Sequence, residues 1–351
     1  MGIRPESPAR GNAATPSNKY AIPNRRMTAR VVRLPMVWET PLRTGNLRDP
    51  NGPQVTFAFE SFIDELAAAA KADPIEFRLD MLARSAEDEI IGIHGVLKAD
   101  VNGDGKLDLL ANSAQPRGKF PDSAVWLEVP KNPRKADRWT RHVFAKNDAP
   151  GLSHYLGAGD LNSDGRLDIT LAAKGGPSDK SGKGEWFAWW EAGEDPTKPF
   201  KKHRLPGVHP GATNILPADV NGDGKLDIVA SRGHGTGLIW YENPGWKIHD
   251  INTELLSSHC LQVGDIDDDG DIDAVTCAYV SRKVAWFEND GKGKFTTHII
   301  HNDQAAYDIR LVDMDADGDL DTLIAGQQSK NVVWFENPLY DSSKLHRTTS
   351  D

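Results

Sequence analysis

The chain has 351 residues, 51 acidic against 41 basic, a formal net charge of −10 and two cysteines. The acidic balance argues against a basic nucleic-acid-binding face. Two cysteines are too few for a disulfide scaffold, and no run of about 18 apolar residues is present to span a membrane as a helix.

Taken in chain order, residues 1–26 are rich in Pro, Asn and Arg and read as coil. The opening stretch MGIRPESPARGNAATPSN has no apolar core, so no signal peptide is predicted in this chain. Residues 27–90 read as a separate piece. TARVVRL is a candidate strand, and a helix is predicted after NGPQ with Val55, Phe59, Phe62, Ile63, Leu66 and Ala70 on one stripe. A second helix starts at DPIEFRLDML, where Asp73 can cap, Pro74 suits the first helical position and Glu76 completes a capping box.

The stretch 41–82 resembles part of the molybdopterin-binding large subunit of molybdenum hydroxylases, the xanthine dehydrogenase and isoquinoline oxidoreductase type. Arg48, Gly52, Pro53 and Gln54 carry the turn, and the helix that follows carries the stronger likeness. That family's subunit runs to many hundreds of residues. Its Gly-rich cofactor loops and late catalytic Glu have no counterpart here, so molybdopterin binding is not expected. Residues 27–90 then read as a joined fragment or as an adapter domain.

From residue 91 to 340 the chain repeats itself. Five nine-residue loops occur: DVNGDGKLD (100–108), DLNSDGRLD (160–168), DVNGDGKLD (219–227), DIDDDGDID (265–273) and DMDADGDLD (313–321). Calcium takes roughly six to eight oxygen ligands, and alternate residues of a tight loop can aim carboxylates at one point. Candidate side-chain ligands are Asp100, Asn102, Asp104 and Asp108 in loop 1. Loop 2 offers Asp160, Asn162, Asp164 and Asp168, and loop 3 offers Asp219, Asn221, Asp223 and Asp227. Loop 4 offers Asp265, Asp267, Asp269 and Asp273, and loop 5 offers Asp313, Asp315, Asp317 and Asp321. Position 7 would add a backbone carbonyl, and Gly at position 6 permits the bend. An EF-hand is excluded because position 12 is never Glu and the flanks read as strands. Up to five Ca2+ per chain are expected.

Each loop is followed by a second landmark: VWLEVP, AWWEAG, IWYENPG, AWFEND and VWFENP. In four units a histidine follows, His142, His203, His249 and His298, expected to be a half-exposed edge residue. Each repeat of about 46 to 60 residues therefore reads as strand, loop, strand, Trp strand and outer strand, which is a propeller blade. The predicted fold is an all-β propeller with five recognisable four-stranded blades, a small partly helical N-terminal appendage and a tail at 341–351. The fifth outer strand is weak, and 27–34 or 344–349 are candidates to complete the ring.

The loops and Trp strands resemble the FG-GAP/VCBS repeats of calcium-binding β-propellers, a type also found in integrin α-subunit heads. The resemblance implies calcium between the first and second strands of each blade. It also implies an extracellular, cell-surface or periplasmic setting.

Six residues before each loop stand His94, His154, Thr213, His259 and Tyr307, with His209 nearby. If the intervening runs are innermost strands, these positions ring one channel mouth. Three readings stand: the rings fill space, the histidines bind Zn2+, or His or Tyr serves as general base on a sugar. The leading function is a binding or scaffolding module for a protein or glycan. The alternatives are a propeller-based carbohydrate lyase or dehydratase using His94, His154, His259 or Tyr307, and a non-catalytic remnant of a molybdopterin-dependent oxidoreductase. Cys260 and Cys277 flank loop 4 and either pair or remain two thiols.

Overall fold

In the computed structural model, residues 93–113, 122–133 and 139–337 are described, with positions 67, 68 and 73 outside that body. The chain divides into two compact units, 1–89 and 90–351. Residues 67 and 68 are helical. The remainder of the two expected helices, the candidate strands 27–34 and 344–349 and the tail lie outside the described residues.

The second unit is a β-propeller of five antiparallel sheets. Blade 1 holds β1 (Ile93–Ala99), β2 (Asp108–Ser113), β3 (Ala124–Glu128) and β4 (Thr140–Ala145). Blade 2 holds β5 (Ser153–Gly159), β6 (Asp168–Ala173), β7 (Trp186–Glu191) and β8 (Lys201–Arg204). Blade 3 holds β9 (Asn214–Ala218), β10 (Asp227–Ser231), β11 (Thr236–Glu242) and β12 (Lys247–Leu256). Blade 4 holds β13 (Ser258–Gly264), β14 (Asp273–Ala278), β15 (Lys283–Asn289) and β16 (Phe295–Asn302). Blade 5 holds β17 (Asp308–Val312), β18 (Asp321–Gly326) and β19 (Asn331–Phe335), and no fourth strand among the described residues.

The innermost strands β1, β5, β9, β13 and β17 pack side by side in that order. Their approach is close. A Cβ on Gly157 would lie 2.4 Å from the Ile215 carbonyl oxygen and 2.6 Å from Thr170 Oγ1. The second strands are the most apolar, and every residue of β6, β10 and β14 is buried. The cores lie between neighbouring sheets. Leu110, Trp126, Phe144, Ile169 and Trp190 join blades 1 and 2. Phe187, Trp189, Ile215, Ile239 and Tyr241 join blades 2 and 3. Trp240, Leu261 and Phe287 join blades 3 and 4, and Val275, Val284, Ile309 and Ile324 join blades 4 and 5.

Three of the five landmark tryptophans are core packing residues. Trp126, Trp189 and Trp240 are buried. Each stacks on the histidine of its outer strand, with ring centroids 4.2 Å apart at Trp126–His142, 4.2 Å at Trp189–His203 and 4.3 Å at Trp240–His249. Trp286 and His298 stack at 4.6 Å. The Glu two residues after each Trp accepts from the same histidine, at 3.0 Å (Glu128), 2.6 Å (Glu191), 2.8 Å (Glu242) and 2.6 Å (Glu288). Blade 5 has no described outer strand to do this, and Trp334 is 40% exposed. Cys260 and Cys277 sit directly opposite each other on β13 and β14 as buried free thiols.

Candidate metal loops and the histidine mouth

The five acidic loops each join the first strand of a blade to the second, and all five are folded by the same bonds. The position-1 carboxylate accepts the N–H of Gly at position 6: Gly105 to Asp100 at 2.8 Å, Gly165 to Asp160 at 2.8 Å, Gly224 to Asp219 at 2.9 Å, Gly270 to Asp265 at 3.1 Å and Gly318 to Asp313 at 3.2 Å. These glycines have φ between 82° and 106°, the left-handed region that disfavours a side chain. The position-5 carboxylate in turn accepts the N–H of position 7 in every loop. Backbone donors within each loop thus fix the orientation of its position-1 and position-5 carboxylates.

In loop 4 the carboxylates of Asp265, Asp267 and Asp269 each offer an oxygen within 4.8 Å of the others. Asp313, Asp315 and Asp317 do the same in loop 5. Asp267 Oδ1 and Asp317 Oδ2 are buried there without a hydrogen-bond partner. Three convergent carboxylates with orphaned oxygens suit a hard dication. In loops 1 to 3 position 3 is Asn, and a basic residue holds the position-5 carboxylate. Lys106 Nζ donates to Asp104 Oδ2 at 2.6 Å, Arg166 pairs with Asp164, and Lys225 Nζ lies 3.7 Å from Asp223 Oδ2.

The position-9 aspartates Asp108, Asp168, Asp227, Asp273 and Asp321 are all buried. One oxygen of each accepts the N–H of loop position 2, at 3.2 Å from Val101, 3.0 Å from Leu161, 3.1 Å from Val220, 3.2 Å from Ile266 and 3.0 Å from Met314. The other accepts an N–H at or just past the end of the third strand, from Val129, Ala192, Asn243, Asn289 or Asn337. Each position-9 carboxylate therefore staples its loop to the Trp strand. A carboxylate has about four lone-pair sites, so this staple leaves room for a cation.

Three of those strand-end residues reach further. Asn243 Nδ2 donates to the Leu161 carbonyl at 2.8 Å, Asn289 Nδ2 to the Val220 carbonyl at 2.8 Å, and Asn337 Nδ2 to the Ile266 carbonyl at 2.7 Å. Each is a bond from one blade to the acidic loop of the blade before it.

At the other ends of the inner strands the predicted ring forms in part. His94 stacks on His154 with centroids 4.0 Å apart, and His259 lies against Tyr307 at 3.9 Å. Tyr155 meets both His154 and His259 edge-on. The fourth imidazole is one the repeat pattern does not select. His234, in the turn between β10 and β11, brings Nε2 to 3.0 Å from His154 Nε2. Thr213, the ring position of blade 3, accepts the N–H of Gly233 and so fixes that turn. His154, His234 and His259 have nitrogens within 4.8 Å of one another. His94 is a stacking neighbour of that group. His209 is not part of it: its Nε2 meets Tyr241 Oη at 2.8 Å and its ring packs on Phe187.

The ring histidines are held in their neutral form. Burial, then the adjacent imidazoles, pull His154 down to about 2. Burial pulls His259 to about 3; His234, an exposed residue whose ring packs edge-on against His154 and His259, is lowered to about 4 by the partial burial of that ring, and the Lys174 ammonium adds to the effect on both. His94 is lowered for the same first reason.

The FG-GAP-like repeat family model matches residues 160–230, 219–276 and 265–324. The molybdopterin cofactor-binding domain model matches residues 4–82, which includes the 41–82 stretch and begins well before it. No curated protein matches the chain. Among solved structures, the chain is similar to an Agrocybe aegerita lectin that recognises non-reducing terminal N-acetylglucosamine, at 16% identity and TM-score 0.41, over 72% of this chain and 68% of that one. It is similar to a chain of the nidogen/laminin complex at 10% identity and TM-score 0.46, over 71% and 77%. It is also similar to the V. cholerae biofilm matrix protein Bap1 at 17% identity and TM-score 0.38, over 70% of this chain and 38% of that one.

Proposed function

We propose that this chain, an FG-GAP-repeat β-propeller joined to a molybdopterin-domain-like fragment, is a calcium-stabilised binding module for a protein or glycan in an extracellular, cell-surface or periplasmic setting. The observation that carries the calcium reading is the convergence of Asp265, Asp267 and Asp269, repeated at Asp313, Asp315 and Asp317, with buried oxygens lacking any partner. Carboxylates that close repel one another unless a cation sits between them. Extracellular modules bind calcium at roughly 10⁻⁴ to 10⁻³ M, which fits an external setting.

The binding reading is favoured over general-base catalysis by the same mouth that suggested catalysis. A general base works best with a pKa near the operating pH. His154 and His259 are held at about 2 and about 3, and imidazoles so low accept protons poorly. The carbohydrate-lyase reading therefore stands second.

Elemental mass spectrometry of the dialysed protein, paired with thermal melts in calcium and in excess chelator, tests the proposal. Calcium at up to five per chain and a melt lowered by chelator are expected. A melt that does not move in chelator sinks the calcium reading. Unsaturated product released from acidic polysaccharides by the unmutated protein would move the lyase reading to first place.

A further inference from the structure

The geometry points to a transition-metal site of the Zn2+ class formed by His154, His234 and His259 at the channel mouth, with one coordination position open for water or an anionic ligand group. This site does not rest on the calcium reading, since it uses other residues and another kind of ligand atom.

Four observations carry it. The first is spacing. Tetrahedral zinc with bonds of about 2.0–2.1 Å sets its nitrogens about 3.3 Å apart. The three imidazoles span that value, with His154 and His234 nitrogens at 3.0 Å and all three within 4.8 Å. Small side-chain rotations bring them to one centre.

The second is tautomer control. His259 Nδ1 lies 3.2 Å from the Tyr307 carbonyl oxygen and His154 Nδ1 lies 3.4 Å from that of Leu152. An N–H donated there from Nδ1 leaves the Nε2 lone pair facing the mouth. Metal-bound histidines are typically oriented by such a bond on the far nitrogen.

The third is an unpaired atom. His259 is 2% exposed and its Nε2 has no hydrogen-bond partner. A buried acceptor left alone is destabilising, and a metal ion would satisfy it.

The fourth is rigidity with access. Asn112 Nδ2 donates to the His154 carbonyl and Asn214 Nδ2 to that of His259, both at 2.5 Å. The two buried ligands are thus pinned from neighbouring strands. His234 is exposed, so the third ligand arrives from the solvent side. Lys174 is the cationic group that bears on the site, and Tyr155 and Tyr307 complete its walls. Imidazole nitrogens favour zinc-like ions, whereas the carboxylate loops favour calcium, so ligand chemistry sorts the two metals.

The test is titration of the full-length protein, stripped of transition metals and kept in saturating calcium, with Zn2+ alone and then with Co2+ alone. One Zn2+ per chain and an intense visible Co2+ spectrum of tetrahedral type are expected. His154→Gln, His234→Gln and His259→Gln should each weaken Zn2+ binding on the order of 100-fold or more, with calcium content unchanged. His301→Gln, on the exposed outer strand of blade 4, should leave it unchanged. His234→Gln guards against misfolding, because its side chain lies in an exposed turn. Zn2+ binding that survives His234→Gln in a folded protein, a weak octahedral Co2+ spectrum, or equal loss in His301→Gln would each overturn the site.

Discussion

Loops 1 to 3 and loops 4 and 5 share a backbone but neutralise themselves differently. In the first three, a Lys or Arg at position 7 stands beside the position-5 carboxylate. In the last two, position 7 is Asp271 or Asp319, and position 3 is Asp where the others have Asn. Loop 4 carries six aspartates and no basic residue, and loop 5 carries five. The first group has a basic side chain of its own beside a loop carboxylate. The second group has none, and its orphaned oxygens at Asp267 and Asp317 mark the deficit. One loop backbone can thus carry different charge balances through single positions of a nine-residue repeat.

The largest effect should come from removing calcium. A site at 100 times its Kd contributes about 2.7 kcal/mol. Asp269→Asn with Asp317→Asn should abolish more of the chelator-induced fall in melting temperature than Asp104→Asn with Asp164→Asn. Equal effects, measured by calorimetry with and without chelator, would break the comparison.

Next comes the staple. Asp273→Ala orphans the N–H groups of Ile266 and Asn289 and the Trp286 indole N–H, which donates to Asp273 at 3.0 Å. Asp227→Ala orphans only the N–H groups of Val220 and Asn243. At about 1–3 kcal/mol for each unsatisfied buried group, Asp273→Ala should be the more costly by urea unfolding in saturating calcium.

A charge swap should act more gently. Lys225→Asp gives loop 3 the position-7 residue of loops 4 and 5. It should tighten calcium binding at that loop about tenfold, or about 1.4 kcal/mol, read by titration calorimetry.

The smallest effect is a pH slope in calcium-free protein. Burial raises the Asp168 and Asp273 carboxyls to about 6, above their ordinary 3.8. A raised folded-state value contributes stability that is present below about pH 4 and lost as pH rises through 6. Bound calcium favours the ionised form, so saturating calcium should remove that slope. Chemical denaturation at pH 4 and pH 7, with and without calcium, reads the difference.

Much of this was legible in sequence because repetition exposes it. The loop pattern of Asp, Asp or Asn, Asp, Gly and Asp at positions 1, 3, 5, 6 and 9 recurs five times, and the Trp-x-Glu strands recur with it. His234 was not legible. It lies in SRGHGTG, a turn with no counterpart in the other blades, and it reaches the mouth because the β10–β11 connection folds over blade 3, where Thr213 replaces a ring histidine. The sequence places His209 only near the ring positions. His209 turns inward to Tyr241 instead, because a buried imidazole requires a partner. The staple at position 9 was hidden because one carboxylate pattern serves both a cation and backbone N–H groups.

The asparagines at the strand ends carry a consequence for how the blades loosen. Asn243, Asn289 and Asn337 hook the carbonyls of Leu161, Val220 and Ile266, so blades 3, 4 and 5 each hold the acidic loop of the blade behind. The hooks all face the same way. A local opening of loop 2, 3 or 4 would therefore be felt first at the end of the next blade's Trp strand.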